Sequence, residues 1–92
     1  MDIVFQQRAQ EIADEVVQLL IQKNHDYGDS FSKLYQEYGD ISTAIRLSDK
    51  IERFKKLITT EQKVKDESID DTLKDLIGYS ILALIEREKN GR

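Results

Sequence analysis

The fold is decided by the stretch at residues 67–88, which reads ESIDDTLKDLIGYSILALIERE. In its first half, apolar residues recur at the spacing of one helix face, at Ile69, Leu73, Leu76 and Ile77. Nearly every residue from 77 to 85 is apolar, and a helix that is apolar on all sides has to be buried on all sides. Because a chain of 92 residues has too few helices to cover it, we expect this half to pack against a second copy of the chain.

Three further helices are predicted from the same spacing and from residues that begin and end helices. The four predicted helices span about residues 3–23, 31–37, 41–57 and 67–88. Side chains that can accept an orphan backbone N–H place the N-caps at Asp2, Ser30, Asp40 and either Asp66 or Ser68. Residues 24–29 form the first turn, where Gly28 can adopt a positive φ, and Gly39 ends the short helix.

Helix three also carries apolar residues at alternating spacings of three and four, which is typical of a helix in an antiparallel bundle. These residues are Ala44, Leu47, Ile51, Phe54 and Ile58. We therefore predict one all-α domain over residues 1–92. It is an antiparallel helical bundle of three long helices and one short helix, assembled as a dimer or a larger homo-oligomer.

Composition excludes several classes of protein. The chain has no proline, which favours helices because proline destabilises a helix interior by about 3 kcal/mol. It has no cysteine, so disulfides and thiolate metal sites are excluded. The net charge of −4 argues against a duplex-DNA binder, although a bound divalent cation can reverse the local sign. The sequence shows no signal peptide with a basic N-terminal region. It also has no apolar run close to the length of about 20 residues that a membrane-spanning helix needs. We therefore expect a cytoplasmic protein without membrane contact.

Acidic residues on the third and fourth predicted helices are spaced so that they share helix faces. They are Asp49 and Glu52 on helix three and Glu67, Asp70, Asp71 and Asp75 on helix four. Like charges three or four residues apart on a helix repel one another. Mg²⁺ is bound by carboxylate oxygens, waters and phosphate oxygens, and would offset that repulsion. A magnesium site between the two helices is therefore one interpretation.

The same acids also have a purely structural interpretation. Those near the start of helix four are favoured there by the helix dipole without any ligand. Those on helix three can pair with Arg53 and Lys56, each four residues further on. Asp75 is the hardest to explain in this way because it lies two turns inside its helix.

The segment at residues 23–30, KNHDYGDS, places a cation, an imidazole, carboxylates and a phenol in one turn. Lys23 can meet a phosphate, Tyr27 can stack on a base, and Asp26 can bind a metal or sugar hydroxyls, with His25 beside them. The alternative is an ordinary helix–turn–helix connection in which Tyr27 covers the core and His25 has no role. The basic residues expected nearest the acids are Lys23, Arg46, Lys50 and Arg53, for which solvated surface positions are the alternative.

Four blocks of the chain together resemble the nucleotide modification associated domain of phages and their hosts. They are residues 23–30, Arg46 with residues 49–53, residues 66–76, and Gly78 with Tyr79. The resemblance extends over residues 20–84, about three-quarters of the chain.

That domain is in turn similar to the MazG-like all-α NTP pyrophosphatases, which carry E-x-x-E on one helix and E-x-x-D on the next. Here Asp49-x-x-Glu52 is followed, after fourteen residues, by Glu67-x-x-Asp70. Asp49 stands where glutamate is usual and is one methylene shorter. An alternative register uses Asp71 and Asp75.

The resemblance implies a dimerising helical bundle in which Glu52, Glu67 and Asp70 or Asp71 hold Mg²⁺. It further implies that water attacks between the α- and β-phosphates of a nucleoside triphosphate. Lys23, Arg46 or Lys50 would neutralise developing charge, and Tyr79 would contact the substrate.

Three hypotheses about function follow from the residues and the resemblance. The first is a Mg²⁺-dependent nucleoside triphosphate pyrophosphohydrolase. The second is a phage-type protein that captures a nucleotide, or a signal derived from one, without cleaving it. The third is a helical protein-interaction module whose acids are surface residues only.

Overall fold

Four helices make up most of the described part of the chain, and no strand occurs in that part. The computed structural model describes residues 2–59 and 65–91, with the side chains of residues 2–59 and 69–91. The helices are α1 (Ile3–Tyr27), α2 (Ser30–Tyr38), α3 (Asp40–Ile58) and α4 (Lys65–Lys89). The prediction of an all-α chain is confirmed. The predicted caps Asp66 and Ser68 are wrong, because α4 begins at Lys65 and both residues lie inside it.

The turn between α1 and α2 takes only two residues. Gly28 and Asp29 both adopt the left-handed conformation, with φ of 63° and 61°. The predicted turn over residues 24–29 is therefore too long, because Gly28 ends α1 by donating its N–H to the carbonyl of Asn24. Ser30 was predicted to cap α2, but it is the first residue of that helix, and Asp29 precedes it. Because Gly28 and Asp29 are both left-handed and are the only two residues between α1 and α2, no extended capping residue precedes α2.

The other predicted caps have different outcomes. Asp2 accepts a backbone N–H of the first turn of α1 at 2.8 Å, which confirms it as the N-cap. Asp40 was predicted to cap α3, but Gly39 occupies the capping position with φ of 68°, and Asp40 is the first helical residue. The carboxylate of Asp40 instead accepts hydrogen bonds from the Tyr35 hydroxyl, at 2.7 Å, and from the Arg87 guanidinium. It thereby connects α2, α3 and α4.

The main apolar cluster lies between α2 and the C-terminal half of α4. Phe31 and Tyr35 of α2 are buried together with Ala83 of α4. Two half-buried residues pack against them: Tyr79, one helical turn before Ala83, and Leu82, next to Ala83 in the chain. The short helix therefore covers one side of the segment that the sequence shows to be apolar all round.

Another side of α4 stays exposed in the single chain. Leu73 and Ile77 were predicted to face inward, but they are 43% and 41% exposed, while Thr72 is 1% exposed. Leu84, about two turns after Ile77, is 52% exposed. Ile77 and Leu84 lie in the half of the helix where the sequence predicts contact with a second copy, and that contact stays a prediction. Within residues 2–59 and 65–91, no helix has an apolar stretch long enough to span a membrane.

The inner face of α3 differs from the predicted apolar seam. Ala44, Ile51 and Ile58 are exposed, and only Leu47 and Phe54 of that seam are half-buried. Thr43 and Leu57 are buried, and Arg46 and Lys50 are half-buried beside Leu47 and Phe54. Apolar spacing cannot reveal this face, because its basic members Arg46 and Lys50 are stabilised by partners on α2 and α4. Those partners form the site described next.

Candidate functional site

A pocket of about 260 Å³ opens between α1, α3 and α4 beside the first turn of α2. Its floor is apolar and is formed by Val16, Leu19, Leu20, Gly78 and Leu82. Its basic side chains are Lys23, Arg46, Lys50 and Lys74, and its aromatic rings are Tyr27, Phe31 and Tyr79. Asp75 is the one acid among the described lining residues. The pocket therefore concentrates positive charge and aromatic rings in a chain whose net charge is −4.

Asp75 is held by two lysines from two other helices. Lys23 of α1 donates to Oδ1 at 2.9 Å, and Lys50 of α3 lies 3.0 Å from Oδ2. The side chains of Asp75 and Lys50 are only 23% and 26% exposed. Burial by itself raises the pKa of Asp75, but the hydrogen bonds from Lys23 and Lys50 outweigh burial and hold that pKa below its usual value. The hydrogen bond to Asp75 likewise raises the pKa of Lys23.

Arg46 lies over two aromatic rings. Its guanidinium carbon is 5.5 Å from the ring centroid of Tyr79 and 5.8 Å from that of Phe31. The two rings are stacked on each other, with centroids 6.0 Å apart and planes 18° apart. The ring faces attract the cation, so they stabilise it at this position. Among the described carboxylates, none forms an ion pair with Arg46.

Lys74 lies at the rim of the pocket and connects α4 to α1. Its ammonium group is 3.1 Å from the carboxylate of Glu15, and that hydrogen bond raises the pKa of Lys74. The Lys74–Glu15 and Asp75–Lys23 pairs both join α4 to α1. Lys74 and Asp75 are neighbours on α4, whereas Glu15 and Lys23 lie about two turns apart on α1. Together they fix how α1 lies across α4.

The turn residues predicted to bind substrate separate into two groups. Lys23 and Tyr27, four residues apart on one face of α1, both line the pocket. Tyr27 is 68% exposed, so it lies at the mouth and does not cover the core. The side chain of His25 is 85% exposed and that of Asp26 accepts a hydrogen bond from Gln22 at 3.2 Å. Neither lines the pocket, and their roles in binding stay predictions.

The acids predicted to hold magnesium do not converge among the described side chains. Asp49, Glu52, Asp70 and Asp71 are exposed and lie outside the pocket lining. Glu52 is paired with Lys55 at 3.2 Å. Within the described residues, no group of three or more histidines or acids could hold a metal ion, and the predicted magnesium site stays a prediction. The side chain of Glu67 lies outside the described part of the chain.

Sequence reasoning missed Phe31 and Lys74 as lining residues. Phe31 gave no signal, because an aromatic residue in the first turn of a helix is most simply a core residue. Gly78 gave a weak indication of the position of Lys74, because a glycine inside a helix often marks the close approach of another element. Such an approach places the residue one turn earlier next to the neighbouring helix.

Glu86 is a buried acid outside the pocket that sequence reasoning also missed. It is 4% exposed, and its carboxylate accepts hydrogen bonds from Gln36 and Lys89, both at 3.1 Å. Burial by itself raises the pKa of Glu86, but hydrogen bonds from Lys89, Ser32 and Gln36 outweigh burial and lower it. Because its partners come from α2 and α4, Glu86 joins these two helices.

Comparison with known proteins adds a family to this geometry. The family model for nucleotide modification associated domain 1 matches residues 23–86, more than half of the chain. No curated protein and no solved structure matches the chain. The matched range contains the basic and aromatic residues that line the pocket, from Lys23 to Tyr79. Since the match covers residues 23–86, the chain belongs to the nucleotide modification associated domain 1 family.

Proposed function

We propose that this protein binds a nucleotide, with its phosphates against Lys23, Arg46 and Lys50 and its base beside Tyr27 at the mouth of the pocket. The observation that carries the proposal is the combination of basic side chains and aromatic rings around one pocket. The family to which the chain belongs is named for nucleotide modification, which agrees with this ligand class.

The charge of the pocket favours an anion. Among the described residues, four basic side chains and one acidic side chain line it, whereas the whole chain is acidic. A cleft lined by one sign of charge attracts the opposite sign and raises its local concentration. Arg46 presents a guanidinium with no described carboxylate partner, and such a group can donate two parallel hydrogen bonds to a phosphate.

The size of the pocket indicates which part of the nucleotide enters it. Pockets that enclose whole drug-sized ligands usually measure about 300–1,000 Å³, whereas this one measures about 260 Å³. It therefore has room for the phosphates but leaves the base near the surface. Tyr27, which is 68% exposed, offers its ring there, and every nucleobase has a face that can stack on it.

Titration calorimetry with a panel of nucleoside mono-, di- and triphosphates, with and without Mg²⁺, tests the proposal. We expect binding to the wild-type protein and a loss of about tenfold or more in Arg46→Gln, because a hydrogen bond to a charged group is removed. Arg8→Gln is the matched control, since Arg8 is exposed on α1 and pairs with Glu11. Equal loss in both variants, or no binding to the wild type, would contradict the proposal.

Mg²⁺-dependent pyrophosphohydrolysis is a second candidate, supported by the position of Asp71. This exposed residue lies one helical turn before Asp75, which lines the pocket. The pKa of Lys74 is raised mainly by its hydrogen bond to Glu15, and the charge of Asp71 adds to that effect. The candidate requires Mg²⁺ on Glu52, Glu67 and Asp70 or Asp71, where the metal would polarise the phosphate chain. It therefore depends on Glu67, whose side chain lies outside the described residues.

Release of pyrophosphate separates the candidates. Turnover that requires Mg²⁺ and is lost in the double variant Glu67→Gln with Asp71→Asn would support the hydrolase. Nucleotide binding without turnover would support a protein that captures its ligand. If neither metal nor nucleotide changes the melting temperature, the remaining candidate is a helical protein-interaction module.

A further inference from the structure

The carboxylate of Asp75 lies between Lys23 and Lys50, two of the three lysines that line the pocket, where a phosphate would otherwise meet them. Lys23 and Lys50 approach its two oxygens at 2.9 and 3.0 Å, so each oxygen is paired with one ammonium group. The three residues belong to three different helices, and all three line the pocket. The arrangement is that of an anion held between two cations, with the anion supplied by the chain itself.

An anionic ligand that enters this pocket meets an electrostatic conflict. It is attracted by the lysines but repelled by Asp75, and Asp75 is only 23% exposed, so water screens the repulsion less than it would at the surface. Asp75 is also attached to the chain, which gives it a high effective concentration at the lysines. A free anion has to offer more charge or more contacts than this carboxylate.

Building on the proposed function, we propose that Asp75 is an internal competitor that the phosphates of the ligand must displace from Lys23 and Lys50. Arg46 is the nearby cation that no described carboxylate neutralises. A single phosphate that contacts Arg46 leaves the lysines with Asp75. A chain of two or more phosphates can contact Arg46 and also replace Asp75 at the lysines. The ligand class is therefore a di- or triphosphate, and Asp75 selects against monophosphates.

A different role for Asp75 would give the opposite result. If it served to orient the lysines toward the ligand, its removal would leave two flexible side chains and weaken binding. If it bound a metal that carries the phosphates, its removal would weaken binding only when Mg²⁺ is present. The sign of the change in affinity therefore distinguishes competition from both alternatives.

Calorimetric titration of wild-type protein and Asp75→Asn with inorganic phosphate, pyrophosphate and tripolyphosphate, in the presence of EDTA, tests the inference. We expect the wild type to bind tripolyphosphate more tightly than phosphate, and Asp75→Asn to bind tripolyphosphate about tenfold more tightly than the wild type does. Asp14→Asn makes the same chemical change on the exposed side of α1, outside the pocket, and should change the affinity by less than about twofold. Equal or weaker binding by Asp75→Asn would overturn the inference.

Two further measurements keep the result interpretable. Circular dichroism tests whether Asp75→Asn is folded. If it is not, Asp75→Ala, which is neutral and favours the helix, replaces it.

Nucleotide titrations of the same proteins separate this inference from the proposed function. Nucleotide binding that Asp75→Asn does not strengthen overturns only the competitor role. Tripolyphosphate binding that Asp75→Asn strengthens, without any nucleotide binding, supports the competitor role and contradicts the proposed function. No binding of any probe by either protein overturns both.

Discussion

Gly78 of α4 lies directly against Leu20 of α1: a Cβ atom built on Gly78 would be 3.0 Å from Cδ2 of Leu20 and 3.8 Å from Cγ1 of Val16. The glycine allows α1 to approach α4 closely enough to form the floor of the pocket. One turn to either side, α4 carries Lys74 and Leu82, which also line the pocket. The position of α1, and with it that of Lys23 and Tyr27, therefore depends on the absence of a side chain at residue 78.

Enlarging residue 78 should separate the two helices. We expect Gly78→Leu to lower the free energy of unfolding by about 2 kcal/mol, because extra atoms in a packed contact force neighbours to move. Gly78→Ala should change it by less than about 1 kcal/mol, because the flexible end of Leu20 can shift and alanine favours the helix. Urea unfolding followed by circular dichroism measures both. Ser80→Leu, at an exposed position of α4, is the control, and an equal loss there would contradict the explanation.

Stability should decrease on acidification through the carboxylates that the fold has paired. The pKa of Asp75 in the folded protein lies below its usual value, as do those of Asp40 and Glu86. The unfolded chain therefore takes up protons first as the pH falls. Stabilisation that is complete above about pH 4–5 is lost as the pH falls through the folded pKa values.

Urea midpoints between pH 3 and pH 7 measure this dependence. Asp75→Asn should reduce the difference in stability between the two ends of that range, because one of the shifted groups is gone. Val16→Ala is the control, since it removes buried apolar contact without removing charge and should lower stability similarly at every pH. An Asp75→Asn curve parallel to that of the wild type would show that this pair does not contribute.

Tyr27 should distinguish a nucleotide from its phosphate chain. We expect Tyr27→Ala to weaken nucleoside triphosphate binding by about fivefold or more, because base–aromatic stacking contributes about 1–3 kcal/mol. Binding of tripolyphosphate should be unchanged, since Tyr27 supplies only its ring, and Tyr27→Phe should bind both probes as the wild type does. Titration calorimetry measures all six combinations. Equal weakening of both probes by Tyr27→Ala would place the base elsewhere.

The exposed apolar side of α4 should mediate self-association. We expect light scattering at micromolar concentration to give the wild-type protein at least the mass of a dimer. Ile77→Glu should have a lower mass, because association would bury the new charge without a partner. Ile45→Glu is the matched control on α3, where the isoleucine is 57% exposed. A monomeric wild type would contradict the predicted contact. Dissociation by Ile45→Glu alone would move the contact to α3.

The part of this protein that the sequence alone could predict is the part governed by neighbouring residues. The four helices, the helix-ending Gly28 and Gly39 with their positive φ, and the capping Asp2 all follow from short-range backbone chemistry, and each was predictable within a few residues. The turn at Asp29 departs from the prediction because a non-glycine residue with positive φ is uncommon.

Only the tertiary structure decided which faces of those helices meet. The buried face of α3 includes Arg46 and Lys50, although apolar spacing predicted a face through Ile51 and Ile58. A basic residue is stable at such a position only when another helix supplies a partner, here Asp75 for Lys50 and stacked rings for Arg46. Such partners lie fifteen or more residues away in the chain, so the local pattern contains no information about them. For the same reason, Asp75 has the spacing of a metal ligand in the sequence and is the partner of two lysines in the folded chain.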